Sequence, residues 1–244
     1  MSADRRPLPV DRLLLVALFV TALVVAQLTA AKLLSVQLPF SIPVAGSALA
    51  LPGAALAYAV TYFASDCYAE LYGKQAAREL VNVAFLMNFV VLALVWSTIV
   101  APGANPEFAS TFASVLGAST NIVAGSLLAY VVSQNWDVLV FHRLKQLTDG
   151  DKLWLRNIGS TASSQLIDTV IFVGVAFWVL PNAGIGTELG LPLVGGGPAP
   201  SVAALIVGQY VLKLAIALID TPFVYAVVGA VRRRDAGERR LFAS

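Results

Sequence analysis

The chain has 244 residues, of which 58% are hydrophobic and only 12% charged, and its mean hydropathy is +0.80. A soluble domain carries about 25% charged residues, so this composition excludes a globular surface that faces water on every side and predicts lipid as the outer solvent. The net charge is only +2. We expect no nucleic-acid partner, and we expect no cofactor. The single cysteine, Cys67, excludes an intrachain disulfide and a cysteine-based metal cluster. We expect it to be a small packing residue.

Six apolar segments each reach the roughly 20 residues that a helix needs to cross the hydrocarbon core. They lie at residues 13–34, 48–69, 80–101, 119–141, 158–180 and 202–231. None alternates as a barrel strand would, so the sequence predicts an all-α, polytopic membrane protein with a six-transmembrane-helix bundle. In this interpretation residues 13–231 form one membrane domain between an N-terminal segment, 1–12, and a basic tail, 232–244.

The basic residues separate between the two sides of this predicted bundle. All Lys and Arg residues except Lys32 and Lys213 lie outside the spans, and with six spans all of them fall on the side of the N-terminus. The opposite connections, at about 35–47, 102–118 and 181–201, contain none. Because cytoplasmic loops collect Lys and Arg, we expect both termini in the cytoplasm and the chain in the cell membrane.

Seven ionisable residues lie within the spans or at their edges. They are Lys32, Asp66, Glu70, Asp137, Asp168, Lys213 and Asp220. Each costs roughly 2.5–3.5 kcal/mol at mid-bilayer if it faces lipid, so we expect them to face a protein interior or a wet cavity. Counted along the helices, the first three acids lie near the cytoplasmic boundary, whereas Asp168, Asp220 and Lys213 lie deeper.

Amide side chains accompany two of these acids at helical spacing. Gln134 and Asp137 are three residues apart, as are Gln165 and Asp168, so each pair shares a helix face. Carboxylates and amides on shared faces are typical of a site for a polar ligand.

Two structural alternatives remain open for the acids. Lys213 would form a buried ion pair with Asp168 or Asp220 and serve only stability. The shallower acids, above all Glu70, would lie at the cytoplasmic interface and pair with Lys74, Arg78 or Arg143. A catalytic role is not expected, because the single histidine, His142, excludes a His-x-x-x-His zinc site and no Gly-x-Ser-x-Gly elbow is present.

Four sets of segments resemble the signature of the queuosine precursor transporters, also called the vitamin uptake transporter (VUT) family. They are Ser65-Asp66-Cys67-Tyr68-Ala69-Glu70-Leu71-Tyr72-Gly73-Lys74 with Ala77-Arg78; Ser133-Gln134, Asp137-Val138, Phe141-His142 and Leu144-Lys145; Trp154-Leu155-Arg156-Asn157 with Gly159-Ser160-Thr161 and Ser164-Gln165-Leu166-Ile167-Asp168-Thr169; and Asp220-Thr221-Pro222-Phe223-Val224-Tyr225. They follow the family's order, and the resemblance covers residues 58 to 230.

The resemblance implies import of a 7-deazaguanine base, such as the 7-cyano or 7-aminomethyl precursor of queuosine or, in archaea, the 7-cyano precursor of archaeosine. A guanine-like edge presents adjacent N–H donors that a carboxylate accepts in pairs, and aromatic side chains stack on its rings. The predicted substrate-binding residues are Asp168, Asp220, Gln165, Gln134, Asp137 and Lys213. The residues predicted for gating or proton coupling are Asp66 and Glu70.

The energy source is left open between two mechanisms. The first is a secondary carrier that works alone, and the second is a substrate-binding membrane subunit that needs a separate energising module. A stripe of small residues, Ala22, Ala26 and Ala30, would let a partner helix or a second copy approach the first span closely, or would pack within the monomer. A scaffolding protein without a ligand is the third class that the sequence allows.

Overall fold

Long apolar helices dominate the structure, as the hydropathy pattern predicts. This computed structural model describes residues 9–148, 153–185, 191–193 and 200–241, with the backbone alone for 153–157 and 235–241. The main helices are α1 (Val10–Thr29), α2 (Ala55–Tyr72), α3 (Lys74–Val100), α4 (Pro106–Gly117), α5 (Ser119–Leu147) and α6 (Leu153–Gly174). A π-helical turn (Val175–Val179) and the short α7 (Leu180–Asn182) extend α6, and α8 (Val202–Leu241) ends the described chain.

Five stretches of the described residues are long and apolar enough to cross a membrane. They are Val10–Thr29, Lys74–Val100, Pro106–Leu147, Ile158–Asn182 and Val202–Arg234. Helix α2 has 18 residues and is not among them, because Asp66, Glu70 and several hydroxyl-bearing residues lower its hydropathy. The chain is therefore a mostly helical, multi-pass membrane protein with five candidate spans, one fewer than the sequence predicts.

A two-stranded antiparallel hairpin separates α1 from α2, and here the all-α prediction is wrong. Strands β1 (Leu33–Ile42) and β2 (Gly46–Pro52) pair in the register Leu34 to Leu51. Two predicted spans were therefore too long. The span 13–34 included residues 33–34 of β1, and the span 48–69 included residues 48–52 of β2. The signal was present as alternation of apolar and polar residues over 36–42, which an average of hydropathy over a helical window hides.

The predicted connection at 102–118 contains the helix α4. Its start follows ordinary capping chemistry, because the side-chain oxygen of Asn105 accepts hydrogen bonds from the backbone N–H groups of Glu107 and Phe108. Pro106 occupies the first helical turn, where its missing N–H costs nothing. The predicted connection at 181–201 lies partly outside the described residues.

Close backbone packing holds the hairpin against α8. A Cβ placed on Gly208 of α8 would lie 2.1 Å from the carbonyl oxygen of Ala50 in β2, so only glycine permits this approach. Leu49, Ala50 and Leu51 of β2 are buried as a result. One end of the bundle is thereby closed by strands as well as by helices.

Small residues of α1 and α2 pack inside the chain. Cys67 is fully buried in an apolar cluster, which confirms the prediction of a packing residue. Ala22, Ala26 and Ala30 are buried as well, and the last two belong to the main core cluster. The small-residue stripe is therefore used within the monomer and is not a free surface for a partner helix.

Polar contacts join three helix ends at the opposite end of the bundle from the hairpin. The Arg12 guanidinium donates to the Tyr68 hydroxyl at 2.9 Å, and the Tyr72 hydroxyl donates to the Asp11 carboxylate. Arg234 of α8 also reaches Asp11, at 3.3 Å. The start of α1, the end of α2 and the C-terminal part of α8 therefore lie on the same side.

The Gly208 contact predicts a position-specific loss of stability. In the Gly208→Ala variant the new methyl group would overlap the Ala50 carbonyl, and overpacking of this kind typically costs about 1–3 kcal/mol. We expect a lower thermal unfolding midpoint in detergent, by several degrees.

Gly229→Ala on the same helix is the matched control, because a Cβ there meets nothing within 4 Å. That variant should unfold at the same or a higher temperature, since alanine is the better helix former. Equal midpoints for the two variants would show that α8 and the hairpin do not pack in this way.

Candidate functional site

A cavity of about 200 Å³ lies among α2, α5, α6 and α8, and we call it the first cavity. Each of these helices lines it with polar side chains at helical spacing, so one face of each helix is polar. They are Tyr58, Thr61, Tyr62 and Ser65 on α2, Ser126, Tyr130, Ser133 and Gln134 on α5, Gln165 and Asp168 on α6, and Gln209 and Lys213 on α8. Apolar side chains of α1 and α3 complete the wall.

An ion pair between α6 and α8 lies in this wall. The Lys213 ammonium is 2.5 Å from a carboxylate oxygen of Asp168, and the two side chains are 8% and 27% exposed. The Ser133 hydroxyl donates to the other Asp168 oxygen at 3.3 Å. The interpretation that Lys213 pairs with Asp168 is therefore confirmed, and the pair faces the cavity rather than lipid.

A second cavity, of about 500 Å³, adjoins the first between α2, α6 and α8. Tyr62, Gln165 and Lys213 line both cavities and so form the partition between them. Asp66 and Asp220 line the second cavity only. One carboxylate oxygen of Asp220 is buried and has no hydrogen-bond partner among the described residues. The second cavity is consequently the more acidic of the two.

Six of the eight predicted site residues line these cavities. The first cavity is lined by Gln134, Gln165, Asp168 and Lys213. The second is lined by Asp66 and Asp220, and also by Gln165 and Lys213.

Asp137 and Glu70 line neither of the two cavities. Asp137 accepts a hydrogen bond from Ser164 at 3.4 Å, between α5 and α6. Glu70 lies 3.6 Å from Arg232, and both side chains are mostly exposed. Glu70 is therefore an exposed, paired acid, as the structural alternative expected, but its partner is Arg232 and not Lys74, Arg78 or Arg143.

Sequence reasoning missed Gln209, which is almost fully buried in the wall of the first cavity. It lies one helical turn before Lys213, on the same face of α8. The i, i+4 spacing of the two residues was the available signal. Gln134 and Gln165 stand out in the sequence because each lies three residues from an acid, whereas Gln209 lies four residues from a lysine.

The contents of the first cavity favour a neutral, planar, hydrogen-bonding ligand. The ion pair balances its own charge, and the remaining polar groups are hydroxyls and amides. A cavity of about 150 Å³ holds benzene, so this one has room for a small bicyclic ring. Aromatic pairs already surround it, with Phe85 and Tyr130 stacked at 4.5 Å and Tyr58 edge-on to Phe172 at 6.4 Å. Among the described residues no group of three or more His, Cys, Asp or Glu is placed to hold a metal ion.

Comparison with known proteins gives a family and several relatives. Residues 52–227 match the family described as "Putative vitamin uptake transporter". A "Probable queuosine precursor transporter" of Bacillus subtilis (strain 168) is 32% identical over 69% of this chain and 68% of that protein. The "Queuosine precursor transporter" of Escherichia coli (strain K12) is 28% identical, over 53% of this chain and 56% of that protein.

A further relative is a "Probable queuosine precursor transporter" of Haemophilus influenzae, which is 29% identical over 59% of this chain and 62% of its own length. The chain thus spans between about half and two thirds of these relatives. No solved structure matches it. The matched family region contains all eight predicted site residues, from Asp66 to Asp220.

The buried ion pair predicts a large cost for removing one partner. In Lys213→Met the Asp168 carboxylate would be left uncompensated, and breaking such a pair typically costs about 3–5 kcal/mol. We expect a strongly lowered thermal unfolding midpoint, and partial recovery in the Lys213→Met, Asp168→Asn double variant.

Arg232→Met is the matched control, because it removes one partner of the exposed pair with Glu70. Exposed pairs contribute about 0–1 kcal/mol, so its midpoint should stay near that of the natural chain. A Lys213 variant as stable as this control would mean that Asp168 and Lys213 are not coupled.

Proposed function

The chain belongs to the vitamin uptake transporter family, and on that premise we propose that it imports 7-deazaguanine precursors of queuosine across the cell membrane. The observation that carries the proposal is the first cavity, a polar pocket of ring-sized volume inside a chain with an apolar surface. Three relatives bear the name of queuosine precursor transporters, which supports the same class of ligand.

We assign the recognition of the base to the first cavity. Asp168 and the amides Gln134 and Gln165 offer acceptors and donors to a guanine-like edge, and tyrosine faces stack on its rings. The 7-cyano form is neutral and suits the charge-balanced first cavity. The ammonium of a 7-aminomethyl form would be drawn toward Asp66 and Asp220 in the second cavity.

We propose six membrane crossings with both termini in the cytoplasm. Helix α2 would supply the sixth crossing, since its 18 residues span about 27 Å. The contacts of Asp11 with Tyr72 and Arg234 support this arrangement, because they bring the start of α1 and the C-terminal part of α8 to one side. Residues 1–12 and 232–244 would then be cytoplasmic segments that flank a single membrane domain, 13–231.

We propose that the chain works alone as a secondary carrier. The small-residue stripe on α1, the surface that the sequence offered to an energising subunit, is buried within the chain. Asp66 and Asp220 line the second cavity together with Lys213 and would exchange protons during the transport cycle. Glu70 would act at the inner exit through its pairing with Arg232.

Removing the cavity carboxylates should strongly reduce uptake. We expect Asp168→Asn and Asp220→Asn each to lower the initial rate of labelled 7-cyano-7-deazaguanine uptake by tenfold or more in cells that lack their own importer. Asp168→Asn removes a carboxylate hydrogen bond to the base, which typically contributes about 1.5–3 kcal/mol, and Asp220→Asn removes a proposed proton-exchanging group. Glu107→Gln changes an exposed carboxylate at the start of α4 and should transport at the natural rate. Undiminished uptake in both aspartate variants at equal membrane abundance would refute the assigned site.

Cysteine labelling tests the crossing of α2. Cys67 is fully buried, so added cysteines report against a silent background. We expect a membrane-impermeant maleimide to label Ser47→Cys in the hairpin and Ala104→Cys before α4 on intact cells. Gln146→Cys near the end of α5 should react only after permeabilisation. Labelling of Ser47→Cys and Ala104→Cys from opposite sides would show that α2 does not cross.

A further inference from the structure

We propose that the transported base crosses the chain in two steps, from the first cavity into the second, and that the ring of Tyr62 closes the passage between them. This route rests on the proposed function and adds to it a second station and a residue that controls the rate of passage. Three helices, α2, α6 and α8, line both cavities and so define the route.

The two cavities follow one another along the bundle. Helices α2 and α8 both begin beside the hairpin and run away from it. On α2 the first cavity reaches back to Tyr58 and the second reaches forward to Asp66, and on α8 the corresponding limits are Gln209 and Asp220. Helix α6 runs toward the hairpin and shows the reverse order. The second cavity therefore lies farther from the hairpin, on the side that the proposed topology places toward the cytoplasm.

The partition between the cavities has one member from each of these helices. Tyr62 of α2, Gln165 of α6 and Lys213 of α8 line both volumes. Because the two volumes are separate, a base that leaves the first cavity for the second displaces at least one of these side chains. Tyr62 is the largest of the three and is therefore the main obstacle.

The other two members of the partition are held in place. The Lys213 ammonium is paired with Asp168 at 2.5 Å, and its side chain is buried. Moving it breaks a buried ion pair, which is costly. The amide oxygen of Gln165 is buried as well, so this end of the side chain is already packed.

Tyr62 is the least constrained of the three tyrosines in the first cavity. Tyr58 packs edge-on to Phe172 at 6.4 Å. Tyr130 donates a hydrogen bond to the Asn82 side chain at 2.7 Å. Among the described residues, Tyr62 forms neither a hydrogen bond nor a ring pair. A ring that is held by packing alone turns between rotamers at lower cost than a tethered one, so Tyr62 is the member that opens.

The second cavity offers the base new partners beyond Tyr62. Asp66 lies one helical turn farther along the same face of α2, and Asp220 of α8 lines the same cavity. Carboxylates accept the adjacent N–H donors of a guanine-like edge. This cavity is about 500 Å³, against about 200 Å³ for the first, so it also has room for the base. A base that has passed Tyr62 therefore meets acceptors before it leaves the chain.

Added bulk at position 62 should slow passage more than it weakens binding. We expect Tyr62→Trp to lower the maximal rate of labelled 7-cyano-7-deazaguanine uptake into proteoliposomes by about tenfold or more, because the larger ring overpacks the partition. The dissociation constant of the same base, measured on the purified full-length chain, should change much less. The other polar groups of the first cavity are unaltered in this variant.

Three further variants separate the passage from the fold and from the hydroxyl. Tyr62→Phe keeps the ring and should recover most of the rate that the Trp variant loses. Tyr62→Ala removes the ring, joins the two cavities and should raise the maximal rate of downhill uptake, and it replaces the Trp variant if that variant does not fold. Tyr225→Trp is the matched control, because Tyr225 is 75% exposed and lines neither cavity. It should transport at the natural rate.

The outcomes distinguish this route from the proposed function. A folded Tyr62→Trp variant with the natural maximal rate would overturn the route alone, and so would a loss of affinity at an unchanged maximal rate. A Tyr62→Phe variant as slow as the Trp variant would assign the effect to the hydroxyl and overturn the role of the ring. Slower downhill uptake by Tyr62→Ala would contradict it as well. A natural chain that neither binds nor transports the base would overturn the proposed function together with the route.

Discussion

The ion pair between Lys213 and Asp168 is the interaction on which the site depends. A lysine and an aspartate inside an apolar bundle are each costly, and they persist there because they neutralise one another at 2.5 Å. The pair joins α6 to α8 and fixes the polar faces of both helices toward α2 and α5. Lys213, together with Tyr62 and Gln165, also separates the charge-balanced first cavity from the second cavity, which has two further carboxylates, Asp66 and Asp220.

The two ends of the bundle are held by different chemistry. At one end the hairpin packs on α8 through the Gly208–Ala50 backbone contact, which tolerates no side chain at the glycine. At the other end Asp11 connects α1 with α2 and α8 through Tyr72 and Arg234. Close backbone packing therefore holds the hairpin end, and polar side-chain contacts hold the other end.

The sequence predicts the helices and the chemistry of the interior well, because both follow from the free-energy cost of placing polar and charged groups in lipid. Lipid penalises charge, so the positions of Asp168, Lys213 and Asp220 along apolar segments were sufficient to assign them to a protein interior, and all three line cavities. Shallow acids are less constrained, and Glu70 pairs at the surface. The hairpin was not predicted, because its burial depends on tertiary contact with α8. Gln209 was missed because a neutral amide carries no large cost in lipid to mark it, and its i, i+4 spacing with Lys213 was the one signal present.

We propose that this single chain carries a 7-deazaguanine base across a membrane. The decisive experiment is uptake of labelled 7-cyano-7-deazaguanine into liposomes that contain only the purified protein, in competition with unlabelled guanine, adenine and common vitamins. We expect saturable uptake without any other protein, reduced by the unlabelled precursor and not by adenine or the vitamins. Uptake no greater than in protein-free liposomes would contradict the claim, and uptake that appears only with an added energising module would assign the chain to the role of a binding subunit.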